Sequence, residues 1–375
     1  MTAAATAPAP AARVRLPVLP GDAAVIDRAE PAPHQLIDGF ARRVTYLRVS
    51  LTDRCNYRCT YCMPDDGSHE VTPHEDVASA SELGAIIAAF AATGVTRVRL
   101  TGGEPTLRRD LPDIVARVVA IPGITDVALS TNGERLLELA GPLRRAGLHR
   151  LNISIDTLDP VRFRAITRRG NLARVLAGTE LCSSLGFRAI KLNAVALRGF
   201  NHDELPALTS WAWERGITPR FIEQMPMAGG RLFVPGEFLP AAEVRAILAA
   251  GLGAPGEQLQ ILRADDDPGS HRGGGPARYY LLPSRNDDTR VGIISPVTES
   301  FCDDCNRVRI DSAGRMHACL AFDDAVDLRS AVQAGTNAED LGRAIAHALG
   351  DKRRGHEFTT LGCGAPKKAM IATGG

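Results

Sequence analysis

The sequence has no apolar run near the ~20 residues that a membrane-spanning helix needs, so no transmembrane helix is expected. Its opening stretch, MTAAATAPAPAARVRLPVLPG, lacks the apolar core of a secretory signal. That stretch is rich in alanine and proline, and residues 1–42 are expected to form a disordered leader. Net charge is also lacking. The 44 Lys and Arg against 43 Asp and Glu leave +1, too weak a field to gather nucleic acid. A polyanionic ligand would have to be met by a local cluster of cations. No internal repeat of solenoid type is present. The eight cysteines are not spread as a secreted disulfide framework would spread them, since six fall into two tight triplets. A reducing cytosol is the expected compartment.

What remains is an ordinary globular composition, 45% hydrophobic and 23% charged over 375 residues, enough for one large domain and a smaller one. From Thr45 onward, strand-like runs (TYLRVSLT, TRVRLTGG, DVALSTN, RLNISID, AIKLNAVAL, PRFIEQMP) alternate with helical ones such as ASASELGAIIAAFAATG. This alternation predicts a parallel α/β sheet with crossover helices. Six units make an incomplete (β/α)6 TIM-type barrel over residues 43–262, closed by a C-terminal domain over 263–375. Residues two apart share a strand face. Leu47 and Val49 alternate with Arg48 and Ser50, Val98 and Leu100 with Arg97 and Arg99, Leu151 and Ile153 with Asn152 and Ser154, and Ile190 and Leu192 with Lys191 and Asn193. Strands buried on both faces normally read apolar throughout. One polar face in strand after strand predicts an interior that holds a polar, anionic ligand.

Cys55, Cys59 and Cys62 follow the first strand with the spacing C-x3-C-x2-C. Three thiolates can hold three irons of a four-iron, four-sulfur cube and leave the fourth open to a small molecule. Zinc with His69 or His74 as fourth ligand is the alternative on spacing. The run TGGEP, Thr101 to Pro105, ends the second strand. There Gly102 and Gly103 let a ligand approach the backbone and Glu104 offers a carboxylate to a ligand ammonium. Cys302, Cys305 and Cys319 form a second triplet, C-x2-C-x13-C, which His317 could complete as a zinc site or which could hold a second open cube. Arg307 and Arg309 follow on one strand face, and their guanidinium forks suit phosphate oxygens.

The first triplet, with Tyr61 before its last cysteine, resembles the radical S-adenosylmethionine superfamily. The whole pattern, including STNG at Ser130 to Gly133, LNISID, KLNAV, FIEQMPM, the second triplet with its Arg-x-Arg and the closing Gly374-Gly375, resembles the GTP 3′,8-cyclase family over residues 43–375. The resemblance implies a lyase that uses two 4Fe-4S clusters and S-adenosylmethionine. A 5′-deoxyadenosyl radical would take the C3′ hydrogen of GTP, and C3′ would join C8 of guanine to give 3′,8-cyclo-7,8-dihydro-GTP, the first step toward molybdenum cofactor. It further implies that Cys55, Cys59 and Cys62 hold the radical-generating cluster. Tyr61, Gly102, Gly103, Glu104, Ser154 and Met225 would meet S-adenosylmethionine. Arg48, Arg99, Ser130, Lys191, Arg307 and Arg309 would meet GTP, the last two as catalytic residues beside the cluster. Cys302, Cys305 and Cys319 would hold the second cluster, whose open iron takes the guanine.

An electron donor of reduced flavodoxin or ferredoxin type, handover of product to the next enzyme and a homodimer are compatible expectations. The chain departs from the family pattern at Thr373, where isoleucine is usual, at Arg97, where lysine is common, and in a longer Gly-rich stretch at 268–276. The competing readings are a peptide-modifying radical enzyme with an auxiliary cluster and a zinc-stabilised binding module.

Overall fold

The computed structural model describes residues 35–64, 71–262, 275–285 and 289–374. All six strands predicted from alternation are present: β1 (Tyr46–Ser50), β2 (Arg97–Thr101), β3 (Asp126–Thr131), β4 (Arg150–Ser154), β5 (Ala189–Ala196) and β6 (Thr218–Glu223). They pair in sequence order and in parallel. Crossovers carry α1 (Ala80–Ala92), α2 (Leu111–Val119), α3 (Leu136–Arg145), α4 (Pro160–Thr167), α5 (Leu172–Ser184) and α6 (Leu205–Trp213), and α7 (Ala241–Leu252) follows β6. Local chemistry sets the helix starts. Ser79 accepts from the Glu82 amide at 3.2 Å while the Glu82 carboxylate accepts from the Ser79 amide at 2.7 Å, a capping box that opens α1. Asp159 caps α4 ahead of Pro160, whose missing N–H is harmless at the first helical position.

The apolar strand faces pack against these helices. Leu47, Val49, Leu100 and Leu151 are fully buried and join one core with Phe90, Leu111 and Phe163. Such burial contributes about 1.5–3 kcal/mol per large side chain. Phe90→Ala is therefore expected to cost about 3–5 kcal/mol, read as a lower urea midpoint with an unchanged slope.

The C-terminal segment extends this sheet at both ends. After β7 (Gln260–Ile261), at the close of the first segment, it contributes β8 (Arg278–Leu281), β9 (Val291–Ile294), β10 (Arg307–Ile310), β11 (Arg315–His317) and β12 (Val326–Asp327), then α8 (Arg329–Gln333), α9 (Ala338–Leu349) and α10 (Met370–Thr373). β10 runs parallel to β1 and β9 parallel to β6. The strand order is β12-β11-β10-β1-β2-β3-β4-β5-β6-β9-β8-β7. Among the described residues the two edges, β12 and β7, share no ladder, so the sheet is an open, curled one and the C-terminal strands lengthen it without sealing a ring.

Of the expected leader, residues 1–34 lie outside the described residues; within 35–42, Leu36, Asp38 and Arg42 are buried. Ile37 bridges Arg43, and the carboxylate of Asp38 holds the Arg42 guanidinium at 2.6 Å. No helix among the described residues is long and apolar enough to cross a membrane.

Candidate active site

The expected polar site residues share one face of the sheet, with the first triad beyond the C-terminal end of β1 and the second at the opposite end, before β10. Arg309, Arg48 and Arg99 stand in register on β10, β1 and β2. Arg307 and Arg97 flank Tyr46 one step earlier. Ser130, Asn152 and Lys191 continue the polar face across β3, β4 and β5, and Ser154 lies opposite Asn193. The sheet curls so that Tyr46, Arg99, Arg150, Lys191 and Arg220 line one cavity of about 190 Å³ together with Tyr279 of β8.

This cavity and the arginine row beside it are strongly cationic. Burial, then the charges of Arg309 and Arg99, push Arg48 well below the usual guanidinium range. Burial and the nearby Arg220, Arg99 and Arg150 push Lys191 down as well. Burial and Arg307 bring Arg309 to about 10. Neutral partners hold several of these groups in place. Arg99 bonds to Tyr46 through Nε and reaches Ser130 Oγ at 3.4 Å. Lys191 Nζ donates to the Tyr279 hydroxyl at 2.8 Å, and Arg220 donates to Asn193 and Asn152 at 2.9 and 2.6 Å. Asp126 brings a carboxylate and pairs with Arg150 at 2.8 Å. Like charges held together in a poorly hydrated space raise one another's energy, and a polyanion relieves all of them at once.

The first triad lies just beyond β1, where parallel βα folds build their sites. Burial, then Glu104, pushes the Cys55 thiol up to about 11. Burial, then Cys55 and Asp156, pushes Cys62 up to about 12. Burial and the other two thiols hold Cys59 well above the ordinary range. Thiols that resist ionising together would ionise around a cationic core, which is the donor set an iron–sulfur cube takes. Tyr61 beside them is fixed by its hydroxyl, which donates to Asp156 at 2.8 Å.

Next to the triad, TGGEP is pressed against the β1 loop. Gly103 N donates to Thr52 O at 2.6 Å. A Cβ on Gly103 would fall 2.4 Å from Arg54 O, and one on Gly102, at φ +152°, 2.5 Å from Thr52 O. Glu104 is buried, and most of its acceptor capacity is already taken. Oε1 accepts from Thr106 N at 3.0 Å, Thr106 Oγ1 at 2.6 Å and Thr131 Oγ1 at 2.7 Å, whereas Oε2 accepts from Asn132 N at 2.7 Å. A ligand ammonium would meet Oε2. Gly103→Val is expected to abolish S-adenosylmethionine binding by displacing this loop, measured by equilibrium dialysis with labelled cofactor on anaerobically reconstituted protein.

The second triad is built by the β10–β11 hairpin. Cys302 and Cys305 precede β10, joined by the Cys305 N to Cys302 O bond of 3.1 Å. Arg309 opposite His317 brings the chain back so that Cys319 follows β11. Burial works upward on Cys302, but hydrogen bonds from His356 and Ser300 bring its thiol down to about 6. Burial likewise opposes ionisation of Cys305, and the Arg307 and Lys352 charges outweigh it. Cys319 is raised, chiefly by burial. Three cysteine sulfurs without a fourth protein donor are the set that an open iron–sulfur cube takes. His317 does not complete a zinc site here. Its Nε2 is 3.1 Å from Asp311 Oδ2 and its Nδ1 3.2 Å from Lys368 Nζ. His74 is exposed, and His69 lies outside the described residues. No three His, Cys, Asp or Glu side chains among the described residues converge tightly enough to hold a single metal ion.

The two triads face a common partition. Ile371 of α10 packs in a cluster with Met63 and Ala228 against which Cys55 and Cys62 rest. Its neighbour Met370 packs with Met225 and Cys319 in a second cluster around Met227 and Phe358. Arg309 donates to Gly374 O at 2.5 Å, so the end of the described chain reaches the cationic row. Gly375 lies outside the described residues.

Sequence reasoning singled out neither Arg220, Arg150, Tyr46 nor Tyr279 for the cavity. The first three sit on the polar faces of predicted strands and alternation could have found them. Tyr279 arrives from the C-terminal segment and carries no such signal.

Two family models match the chain: the radical SAM superfamily over residues 49–212 and Molybdenum Cofactor Synthesis C over residues 217–358. Among curated relatives, GTP 3′,8-cyclase 1 of Pseudomonas aeruginosa is 41% identical over 340 residues, covering 90% of this chain and 99% of that protein. GTP 3′,8-cyclase of Hydrogenovibrio crunogenus is 38% identical over 340 residues, covering 91% and 99%. Among solved structures, Streptococcus suis SuiB bound to S-adenosylmethionine shares the fold, with a TM-score of 0.54 at 14% identity over 74% of this chain and 60% of that one. With two matched models and relatives aligned over nine-tenths of its length, the chain belongs to the GTP 3′,8-cyclase family of the radical SAM superfamily.

Proposed function

We infer that the protein is a GTP 3′,8-cyclase that converts GTP to 3′,8-cyclo-7,8-dihydro-GTP, the first step toward molybdenum cofactor. The observation that carries this reading is the row Arg309–Arg48–Arg99, set between two cysteine triads and opening on the cavity of Lys191 and Arg220. A triphosphate would suit this row of guanidinium groups, and a purine would reach the second triad from it.

The cofactors are two 4Fe-4S clusters and S-adenosylmethionine, which together supply a hydrogen-abstracting carbon radical when bound. Cys55, Cys59 and Cys62 would hold one cluster and Cys302, Cys305 and Cys319 the other. Tyr61, Gly102, Gly103, Glu104, Ser154 and Met225 would seat S-adenosylmethionine at the strand ends. Arg48, Arg99, Ser130, Lys191, Arg307 and Arg309 would seat GTP, with Arg220 added on the geometry. The protein's contribution is orientation. Cations at one end and a base anchor at the other fix the ribose between them, and α10 with the Met225–Ala228 segment screens the reacting centre from water.

A low-potential donor of flavodoxin or ferredoxin type, the reducing cytosol as compartment, handover to the next enzyme and a homodimer complete the proposal. The domain division at residue 262 stands with it, although β9 from beyond that point pairs with β6. A peptide-modifying enzyme would not need the arginine row, and a closed zinc module would give that row nothing to bind.

Anaerobically reconstituted protein should bind GTP saturably and turn it over with S-adenosylmethionine and a strong reductant. Absence of saturable GTP binding would contradict the reading. Lys191→Ala removes one charge-assisted contact of about 1.5–3 kcal/mol and is expected to weaken GTP binding about 10- to 100-fold, with S-adenosylmethionine binding unchanged.

A further inference from the structure

Lys352 is assigned no part in the reading above, yet its ammonium stands at the second triad. The residue is 3% exposed and follows α9. Its Nζ donates to Arg307 O at 2.7 Å and to Cys305 Sγ at 3.4 Å. A buried ammonium loses several kcal/mol of hydration unless an opposite charge meets it. A backbone carbonyl supplies no such charge, and the Cys305 thiolate does.

The position is held from several sides. Arg42 donates to the carbonyls of Cys302 at 2.7 Å and Arg353 at 2.8 Å, and also to that of Arg354. Its own charge is fixed on Asp38 at 2.6 Å. One guanidinium therefore ties the turn of the triad to the segment that carries Lys352. Gly355 closes the other side, where a Cβ would stand 3.4 Å from Cys302 Cβ and 3.7 Å from its Sγ. The strap from Lys352 to His356 thus wraps the Cys302–Cys305 pair, and residues 38–42 lock it there.

We propose that Lys352 is a positioning residue of the second cluster, donating to the Cys305 thiolate and raising the reduction potential of the cluster bound there. Reduction adds one negative charge to the cluster. A fixed cation beside a ligating sulfur stabilises that added charge, and hydrogen bonds to cluster sulfurs are among the levers that set iron–sulfur potentials. The proposal rests on the reading that Cys302, Cys305 and Cys319 hold a cluster.

The test uses the full-length chain with Cys55, Cys59 and Cys62 replaced by alanine, so that a single cluster remains. Its midpoint potential is measured by EPR-monitored titration, together with iron content. Lys352→Met is expected to shift the midpoint to a more negative value at unchanged iron content, and Lys352→Arg to restore most of it. Coincident midpoints for the Met variant and the parent would overturn the proposal. Should the Met variant lose its iron, Lys352→Gln decides, since it keeps a donor without the charge. A negative shift in the Gln variant supports the proposal and an unchanged midpoint overturns it. Loss of iron from both variants also overturns it, because Lys352 would then serve assembly rather than potential. Absence of iron from the parent chain would instead overturn the cluster reading itself.

Discussion

Replacing Cys302, Cys305 and Cys319 together by alanine is expected to end formation of the cyclised nucleotide while S-adenosylmethionine is still cleaved to 5′-deoxyadenosine. The two triads belong to different parts of the chain. The first follows β1, and the second is brought to the β1 edge by β10 and β11. Removing the second leaves the first triad, TGGEP and the strand-end residues in place, so cofactor cleavage persists, uncoupled from substrate. It would also remove the proposed anchor for the base opposite the Arg309–Arg48–Arg99 row. A ribose free to wander by an ångström loses about 10²-fold in rate, and loss of the anchor exceeds that. Iron content is expected to fall by about four per chain. Mass analysis of deoxyadenosine and cyclised nucleotide in the same sample separates the two effects. Wild-type cyclisation in this variant would show that the second triad does not anchor substrate.

Gly374→Val is expected to lower turnover by about 10²-fold or more with both clusters loaded. Gly374 has φ +74°, a region that β-branched residues avoid. A Cβ there would fall 2.4 Å from Thr101 Cγ2 and 3.1 Å from Gly102 N. Either the tail withdraws and the 2.5 Å bond from Arg309 to Gly374 O is lost, or the Thr101–Gly102 backbone shifts where S-adenosylmethionine is proposed to bind. Both outcomes damage the site without touching a cysteine. Thr373→Ile is the contrast. Thr373 is buried and its hydroxyl lacks a hydrogen-bond partner among the described residues. Such a group costs about 1–3 kcal/mol, so isoleucine should hold the tail at least as firmly and keep turnover. Product formation rates for the two variants at equal iron content make the comparison. A fully active Gly374→Val enzyme would remove the tail from the site.

Much of this arrangement was legible before any coordinates. Alternation in TYLRVSLT, TRVRLTGG and RLNISID fixed both the strands and which face is polar, because a parallel strand with helices on one side must show an apolar face there. The triads were legible from spacing alone, as was Arg307 beside Arg309. What escaped was long-range. Nothing in RVRI announces that it pairs with β1, or in RYYL that Tyr279 will meet Lys191. Asp38 and Arg42 read as the end of a low-complexity leader, and only the folded chain shows Arg42 gripping Cys302, Arg353 and Arg354. His317 had the spacing of a zinc ligand, but Asp311 and Lys368 take its ring nitrogens. Glu104 read as a carboxylate for a ligand, and three neighbouring residues already supply it with donors. Spacing reveals which groups can meet; it does not reveal which partner reaches them first.

The claim that joins all of this is geometric: cations on one side and the second triad on the other hold the ribose of GTP with C3′ toward the first triad. Anaerobic turnover of GTP carrying deuterium only at C3′ tests it directly. The expected result is 5′-deoxyadenosine heavier by one mass unit, formed in step with cyclised nucleotide that has lost the label. Unlabelled deoxyadenosine beside a nucleotide that keeps its deuterium would contradict the account.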